Sequence, residues 1–240
     1  MPANPSTPAV LVCGASGTLG GAVARALHRR GCALGLHRHA HPERLPELPC
    51  KAYAADFRDP EQPAALAKAF LSDFGRLDAL VWAAGIARDA PAAAQSEADV
   101  REVLAVDLSA PFLLAKALAR TFLKQKAGSV VFLSSHAALS GRAGGAAYAM
   151  AQAGLLSLMK SLAREWGPLG VRVNAVVPPF VRESEMGRAA SEAFVEAVAR
   201  RNVLKLEADP AAEAGRFIAD LLENRTACGQ VFTLDGRIAI

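Results

Sequence analysis

Two hydrophobic rhythms alternate along this chain. Short continuous apolar runs, such as "AVLVC" and "CALGL", give way to longer stretches where apolar positions return every three or four residues. The first rhythm is that of buried strands and the second that of amphipathic helices. "AVLVC" leads into "LGGAVARALHRRG", then "CALGL" and "KAYAA" lead into "PEQPAALAKAFLSDFG". "LDALVWAAG" precedes one long helical pattern, "EADVREVLAVDLSAPFLLAKALARTFLKQ". "GSVVFLSS" precedes "AAYAMAQAGLLSLMKSLAREWG", and "VRVNAVVPP" precedes a helical stretch near 185–200 and then "AAEAGRFIADLLEN". "GQVFTLD" closes the series. Seven strands alternating with helices predict an α/β protein: a single Rossmann-type doubly wound domain with a seven-stranded parallel sheet covered on both faces. The domain is expected over 8–240, after a loose Pro-rich tail at 1–7. In such sheets ligands sit beyond the carboxyl ends of the strands, where the strand order reverses.

Composition narrows the picture. The chain has 240 residues, enough for one large domain, and is 52% hydrophobic but only 6% aromatic, so Ala, Leu and Val must build the core. No run reaches the roughly 18 apolar residues of a membrane span, and the first residues lack the layout of a secretion signal. Cys13, Cys32, Cys50 and Cys228 form no CxxC pair and read as buried, reduced thiols, which points to the cytoplasm. A net charge of +4 without blocks of like charge favours small anionic ligands over nucleic acid.

The strongest chemical signal follows the first strand. "GASGTLG" runs from Gly14 through Ser16, Gly17 and Leu19 to Gly20. Glycines there permit a tight turn and close backbone approach, and the following helix N-terminus favours a pyrophosphate. The end of the second strand carries no acid for a ribose 2′-hydroxyl. It offers His37, Arg38 and His39 instead, and arginine suits a 2′-phosphate, so the reading is NADP(H). A solvated basic loop is the plain alternative. His37, His39 and His41 lack a completing ligand set, and no metal is expected.

"GASGTLG", "AADFRDPEQ", "AAGIARD", "SSHAALSGRAGGAAYAMAQAG", "GVRVNAVVPP" and "VFTLDG" together resemble the short-chain dehydrogenases/reductases. The resemblance spans about residues 8–237 and is nearest to the 3-oxoacyl-acyl-carrier-protein and acetoacetyl-CoA reductases. It implies Asp56 and Phe57 by the adenine, Ala84 and Gly85 along the cofactor, and Pro178 and Val181 near the nicotinamide. It also implies a catalytic tetrad of Asn, Ser, Tyr and Lys. Ser135 and Tyr148 match that pattern, whereas Asp107 stands for the asparagine and Gln152 for the lysine. In the family the tyrosine gives a proton to the carbonyl oxygen, the serine hydrogen-bonds that oxygen, the lysine binds the ribose, and the asparagine holds a relay water. Further departures are Cys13 before the turn, Trp82 and Ala83 for two asparagines, Pro178–Pro179 for Pro–Gly, and Glu183 or Ser184 near a family threonine.

Losing a cation beside the phenol and gaining an acid raises the cost of tyrosinate. The expected activity is therefore NADP(H)-dependent reduction of a 3-oxoacyl thioester or similar ketone, with weakened catalysis. The competing reading is a non-catalytic nucleotide-binding member that assembles with an active homologue. A thinner third is dehydration or isomerisation using Asp107. Lys160 lies about 12 Å along the helix from Gln152 and is no substitute. His136, beside Ser135, is expected to face away from it. Arg120, Lys124 and Lys126 are read as a solvated helix end, with contact to an acidic carrier protein as the alternative. The apolar faces of 108–124 and 147–166 resemble those through which the family forms tetramers; packing within one subunit is the competing account.

Overall fold

A computed structural model describes residues 7–204 and 209–237. Of the expected tail at 1–7, residues 1–6 lie outside that range. The chain opens with β1 (Ala9–Cys13), α1 (Thr18–Arg29), β2 (Ala33–Arg38), β3 (Lys51–Ala54) and α2 (Gln62–Phe74). Next come β4 (Ala79–Trp82), α3 (Glu97–Leu104), α4 (Ala110–Gln125), β5 (Gly128–Leu133), the single turn α5 (Ala137–Ser140) and α6 (Ala146–Trp166). The last elements are β6 (Val171–Val177), α7 (Glu185–Arg188), α8 (Glu192–Arg201), α9 (Pro210–Glu223) and β7 (Val231–Thr233).

All strand pairings are parallel, in the order β3-β2-β1-β4-β5-β6-β7. Alternation along β1 divides the core. Leu11 and Cys13 join Leu80, Phe132 and Val173 beneath α2, α4 and α6. Val10 and Val12 join Leu36, Val81 and Val176 beneath α1 and α9. Burial on both faces is what a sheet with helices on each side requires. The chain builds outward from β1 to β3, then returns to the other side of β1 for β4. The strand order reverses between the carboxyl ends of β1 and β4, the place at which open α/β sheets form their ligand crevice.

Two of the expected helices are broken. The pattern over 97–125 divides into α3 and α4 around a π-helical turn, Ala105–Ser109, where the Ala110 N–H reaches back to the Ala105 carbonyl. Pro111 explains the break, since it has no N–H for the Asp107 carbonyl and its ring crowds that carbonyl. The stretch near 185–200 divides into α7 and α8. Ser184 Oγ accepts the Gly187 N–H and Ser191 Oγ accepts the Phe194 N–H, so each serine starts a new helix.

The four thiols are free, and Cys13 is buried as expected, but Cys50 is exposed in the loop leading to the edge strand β3. No helix among the described residues is long and apolar enough to cross a membrane.

Candidate active site

The turn from β1 to α1 leaves no room for side chains. At Gly14, with φ +78°, a Cβ would lie 2.6 Å from the Ala84 nitrogen, and at Gly20 it would lie 2.2 Å from the Gly14 carbonyl oxygen. The Gly17 N–H closes the turn onto the Gly14 carbonyl at 3.0 Å. α1 begins at Gly17 without a capping side chain and without an acid in its first turn. Its first amides are therefore open to an anion. Ser16 and Leu19 are half-buried on either side of Gly17.

His37 does not line a solvated basic loop. Its side chain is buried, stacks on Phe57 at 4.2 Å, and accepts the Gly14 N–H on Nδ1 at 3.1 Å. Nε2 lies 3.1 Å from the Ala55 carbonyl, so Nε2 carries the proton. Burial keeps the imidazole neutral, lowering its pKa to about 4. His37 is thus a strut under the phosphate turn, and only its neighbours Arg38 and His39 reach the surface. Phe57 is likewise packed inward, between His37 and Trp82, with the Trp82 ring 4.6 Å away. It presents no free ring face to an adenine. The asparagine-to-tryptophan departure at 82 completes this aromatic stack.

Asp56 is gripped by Arg58, whose Nε lies 2.9 Å from Oδ1 and whose Nη2 lies 2.6 Å from Oδ2. That fork holds the Asp56 carboxyl down at about 2. His39 stands 3.5 Å from Asp56, and Glu102 bridges Arg58 and Arg88. Arg38 is partly exposed, and its guanidinium contacts the His39 carbonyl at 3.3 Å. Among the described residues, no three His, Cys, Asp or Glu groups converge to hold a metal ion. His41 pairs with Glu43 instead, at 3.1 Å.

On the other side of the turn, Ser135 follows β5, and α6 carries Tyr148 and Gln152 one turn apart. Ser135 accepts the Ala137 N–H on Oγ at 3.2 Å, and its hydroxyl eases ionisation of the Tyr148 phenol. Arg142 lies 5.3 Å from the Tyr148 ring centroid, already paired with Asp89. The phenol is nevertheless pushed up to about 12, first by its surroundings of protein and then by Asp107, with Ser135 and Arg142 pulling weakly the other way. His136 turns to Ser140, with Nδ1 2.9 Å from Oγ.

Asp107 and Gln152, read from the sequence as standing for the tetrad's asparagine and lysine, meet. Asp107, fully buried in the π-helical turn, accepts the Ile86 N–H on Oδ1 at 2.8 Å and the Gln152 amide on Oδ2 at 3.0 Å. A Cβ at Gly85 would lie 3.3 Å from the same Oδ2, so that glycine admits the carboxyl. Burial without a cation raises Asp107 to about 7, against the pull of its two hydrogen bonds. Gln152 is 3% exposed, and its Oε1 has no hydrogen-bond partner among the described residues. Lys160 is exposed on the surface of α6.

Beyond β6, Pro178 is half-buried at the crevice, whereas Val181 turns inward against Ala22 and Ala211. Ser184 is committed to capping α7, and Glu183 is exposed. Sequence reasoning missed three things: the inward turn of His37, the Arg142–Asp89 pair, and the bond between Asp107 and Gln152. Only Pro111, inside a helical pattern just past Asp107, signalled a local change there.

These residues fit a dinucleotide. The glycine cradle accepts no Cβ, the α1 amides are open, and Gln152 offers a buried oxygen with no donor. A family profile described as enoyl-(acyl carrier protein) reductase matches residues 14–236. D-threitol dehydrogenase of Mycolicibacterium smegmatis is 35% identical over 197 residues, covering 75% of this chain and 72% of that protein. A 3-oxoacyl-acyl-carrier-protein reductase of Escherichia coli is 33% identical over 187 residues, covering 76% of each. The crystal structure of a dehydrogenase/reductase from Sinorhizobium meliloti superposes with a TM-score of 0.86 at 28% identity, covering 96% of this chain and 94% of that one. Seven parallel strands and a glycine turn, together with these likenesses, place the chain in the short-chain dehydrogenase/reductase family of oxidoreductases.

Proposed function

We propose that this protein is a cytoplasmic NADP(H)-dependent reductase of a 3-oxoacyl thioester or a similar ketone, slower than its relatives. The observation that carries the reading is the glycine turn with its open α1 amides, in a fold that sets Ser135 after β5 and Tyr148 on α6. When bound, NADPH would supply the hydride. Tyr148 would give its proton to the substrate carbonyl oxygen, and Ser135 would hold that oxygen in line. Arg38, with no acid at the end of β2, supports a 2′-phosphate on the cofactor. The E. coli relative and "GIARD" at 85–89 support the thioester.

As the acid, Tyr148 would be slow to surrender its proton and regain it, because burial and Asp107 push its phenol up to about 12 against the pull of Ser135 and Arg142. A positioned general acid is worth on the order of 10²–10⁴ in rate, and part of that factor is forfeited here. Exposed Met150 (51%) on α6, and exposed Phe112 (46%) in a hollow lined also by Leu108, Ser109, Leu113 and Leu158, support a homo-oligomer built through α4 and α6.

The test is NADPH oxidation by the purified protein with acetoacetyl-CoA, beside the Tyr148→Phe variant. Slow turnover by the parent and none by the variant is expected. Equal rates would remove Tyr148 from the mechanism. NADPH binding without turnover on a panel of 3-oxoacyl thioesters and ketones would instead favour the joint loss of Asn and Lys as the mark of a non-catalytic assembly partner.

A further inference from the structure

Two costs coincide at one point in the core. Among the described residues Asp107 is a fully buried acid with no cation beside it, and the neighbouring Gln152 Oε1 is a buried acceptor with no donor. Either is unusual alone, since buried polar atoms are nearly always satisfied. A single change, Asp107→Asn, would relieve both. The new oxygen would keep the Ile86 N–H, and the new amide would donate to Oε1. The arrangement is therefore informative about what Oε1 meets when the site is filled.

The bond polarity fixes how the carboxamide is turned. A carboxylate only accepts, so the Gln152 NH2 must face Asp107 and Oε1 must face away. Gly85 and Ile86, which the Asp107 carboxyl touches, adjoin Ala84, and Ala84 lies against Gly14 of the phosphate turn. The pair thus stands directly behind the crevice. It lies on the β4–β5 side, opposite the β2 and β3 ends where the 2′-phosphate half would bind.

We propose that Asp107 and Gln152 act as one unit toward the nicotinamide half of the dinucleotide. Asp107 claims the amide N–H groups, and Gln152 Oε1 accepts a neutral donor from the ligand, a ribose hydroxyl or the carboxamide N–H. Asp107 is then a positioning residue that never touches the ligand. This inference rests on the dinucleotide-binding reading. It carries a consequence for the missing lysine: an ammonium introduced at 152 would be neutralised by Asp107 unless that acid were changed as well.

The experiment is a fluorescence titration with NADPH of the parent, Gln152→Met, Asp107→Ala and the double variant. One net hydrogen bond is worth about a 3- to 10-fold change in affinity. Each single variant should lose that much, and the double variant should lose no more than the weaker single. Losses that multiply in the double variant, or parental affinity in Asp107→Ala, would overturn the inference while leaving the cofactor reading intact. Asp107→Asn is the well-folded companion: it should gain thermal stability yet lose affinity, because its amide is turned and Oε1 is engaged. Stability and affinity rising together would overturn the inference, since only a structural role moves both the same way. Repeating the Gln152→Met comparison with the acetylpyridine analogue of NADPH, which lacks the carboxamide N–H, assigns the donor. A retained loss supports the ribose, and a vanished loss supports the carboxamide. No binding of NADPH or NADH to the parent would end both this inference and the function on which it rests.

Discussion

The Gln152 carboxamide donates to the Asp107 carboxylate across 3.0 Å, joining the two positions at which the sequence reads as departing from the family's tetrad. Neither replacement is independent of the other. A lysine opposite Asp107 would form a buried ion pair, and an asparagine opposite Gln152 would turn the amide.

Asp107 should limit stability at neutral and alkaline pH. Its folded-state pKa is raised from 3.8 to about 7, so folding favours the protonated acid. That contribution is complete below the unfolded value and is lost as pH rises through about 7. Asp107→Asn should therefore stabilise the fold, by roughly 2–3 kcal/mol more near pH 8.5 than near pH 5. Chemical denaturation at the two pH values checks this, and an equal gain at both would contradict it.

His37 should support both the fold and the cofactor turn. Replacing it by Ala removes the acceptor for the Gly14 N–H and one face of the Phe57 stack. The expected cost is about 2–4 kcal/mol, with weaker NADPH binding. The parent's pKa at this site is lowered from 6.5 to about 4. Its stabilising contribution is present above the unfolded value and is lost as pH falls through about 4. Thermal unfolding between these pH values should show that acid loss shrinking in His37→Ala.

Cofactor choice should rest on Arg38. Arg38→Ala should weaken NADPH about tenfold and leave NADH nearly unchanged, because only the 2′-phosphate differs. Parallel binding titrations with the two cofactors decide it, and equal losses would shift the site elsewhere.

Assembly should depend on the exposed apolar face of α4. Phe112→Glu places a charge where a second subunit would pack and should yield smaller particles in sedimentation velocity, with the unfolding transition of each subunit retained. An unchanged sedimentation coefficient would leave that face without an assembly role.

Much of the fold could be read from the sequence because strand burial on both faces leaves continuous apolar runs. "AVLVC" coincides with β1 residue for residue. The positions of Ser135 just after a strand and of Tyr148 on a helix were likewise readable, since each follows from a local pattern. The division of the 97–125 pattern was not, because helical periodicity passes through a π-helical turn with little disturbance and only Pro111 marks it. The inward turn of His37 was hidden for a different reason. Whether an imidazole at a strand end faces water or the core depends on what lies across the sheet, here Phe57 and the Gly14 N–H.

The most direct measurement is kcat for acetoacetyl-CoA reduction by the parent, by Gln152→Lys, and by Gln152→Lys combined with Asp107→Asn. If Tyr148 is the acid and these two positions hold back its proton, the combined variant should gain on the order of 10²-fold, and Gln152→Lys alone far less. No gain in the combined variant, with NADPH still bound, would contradict the account.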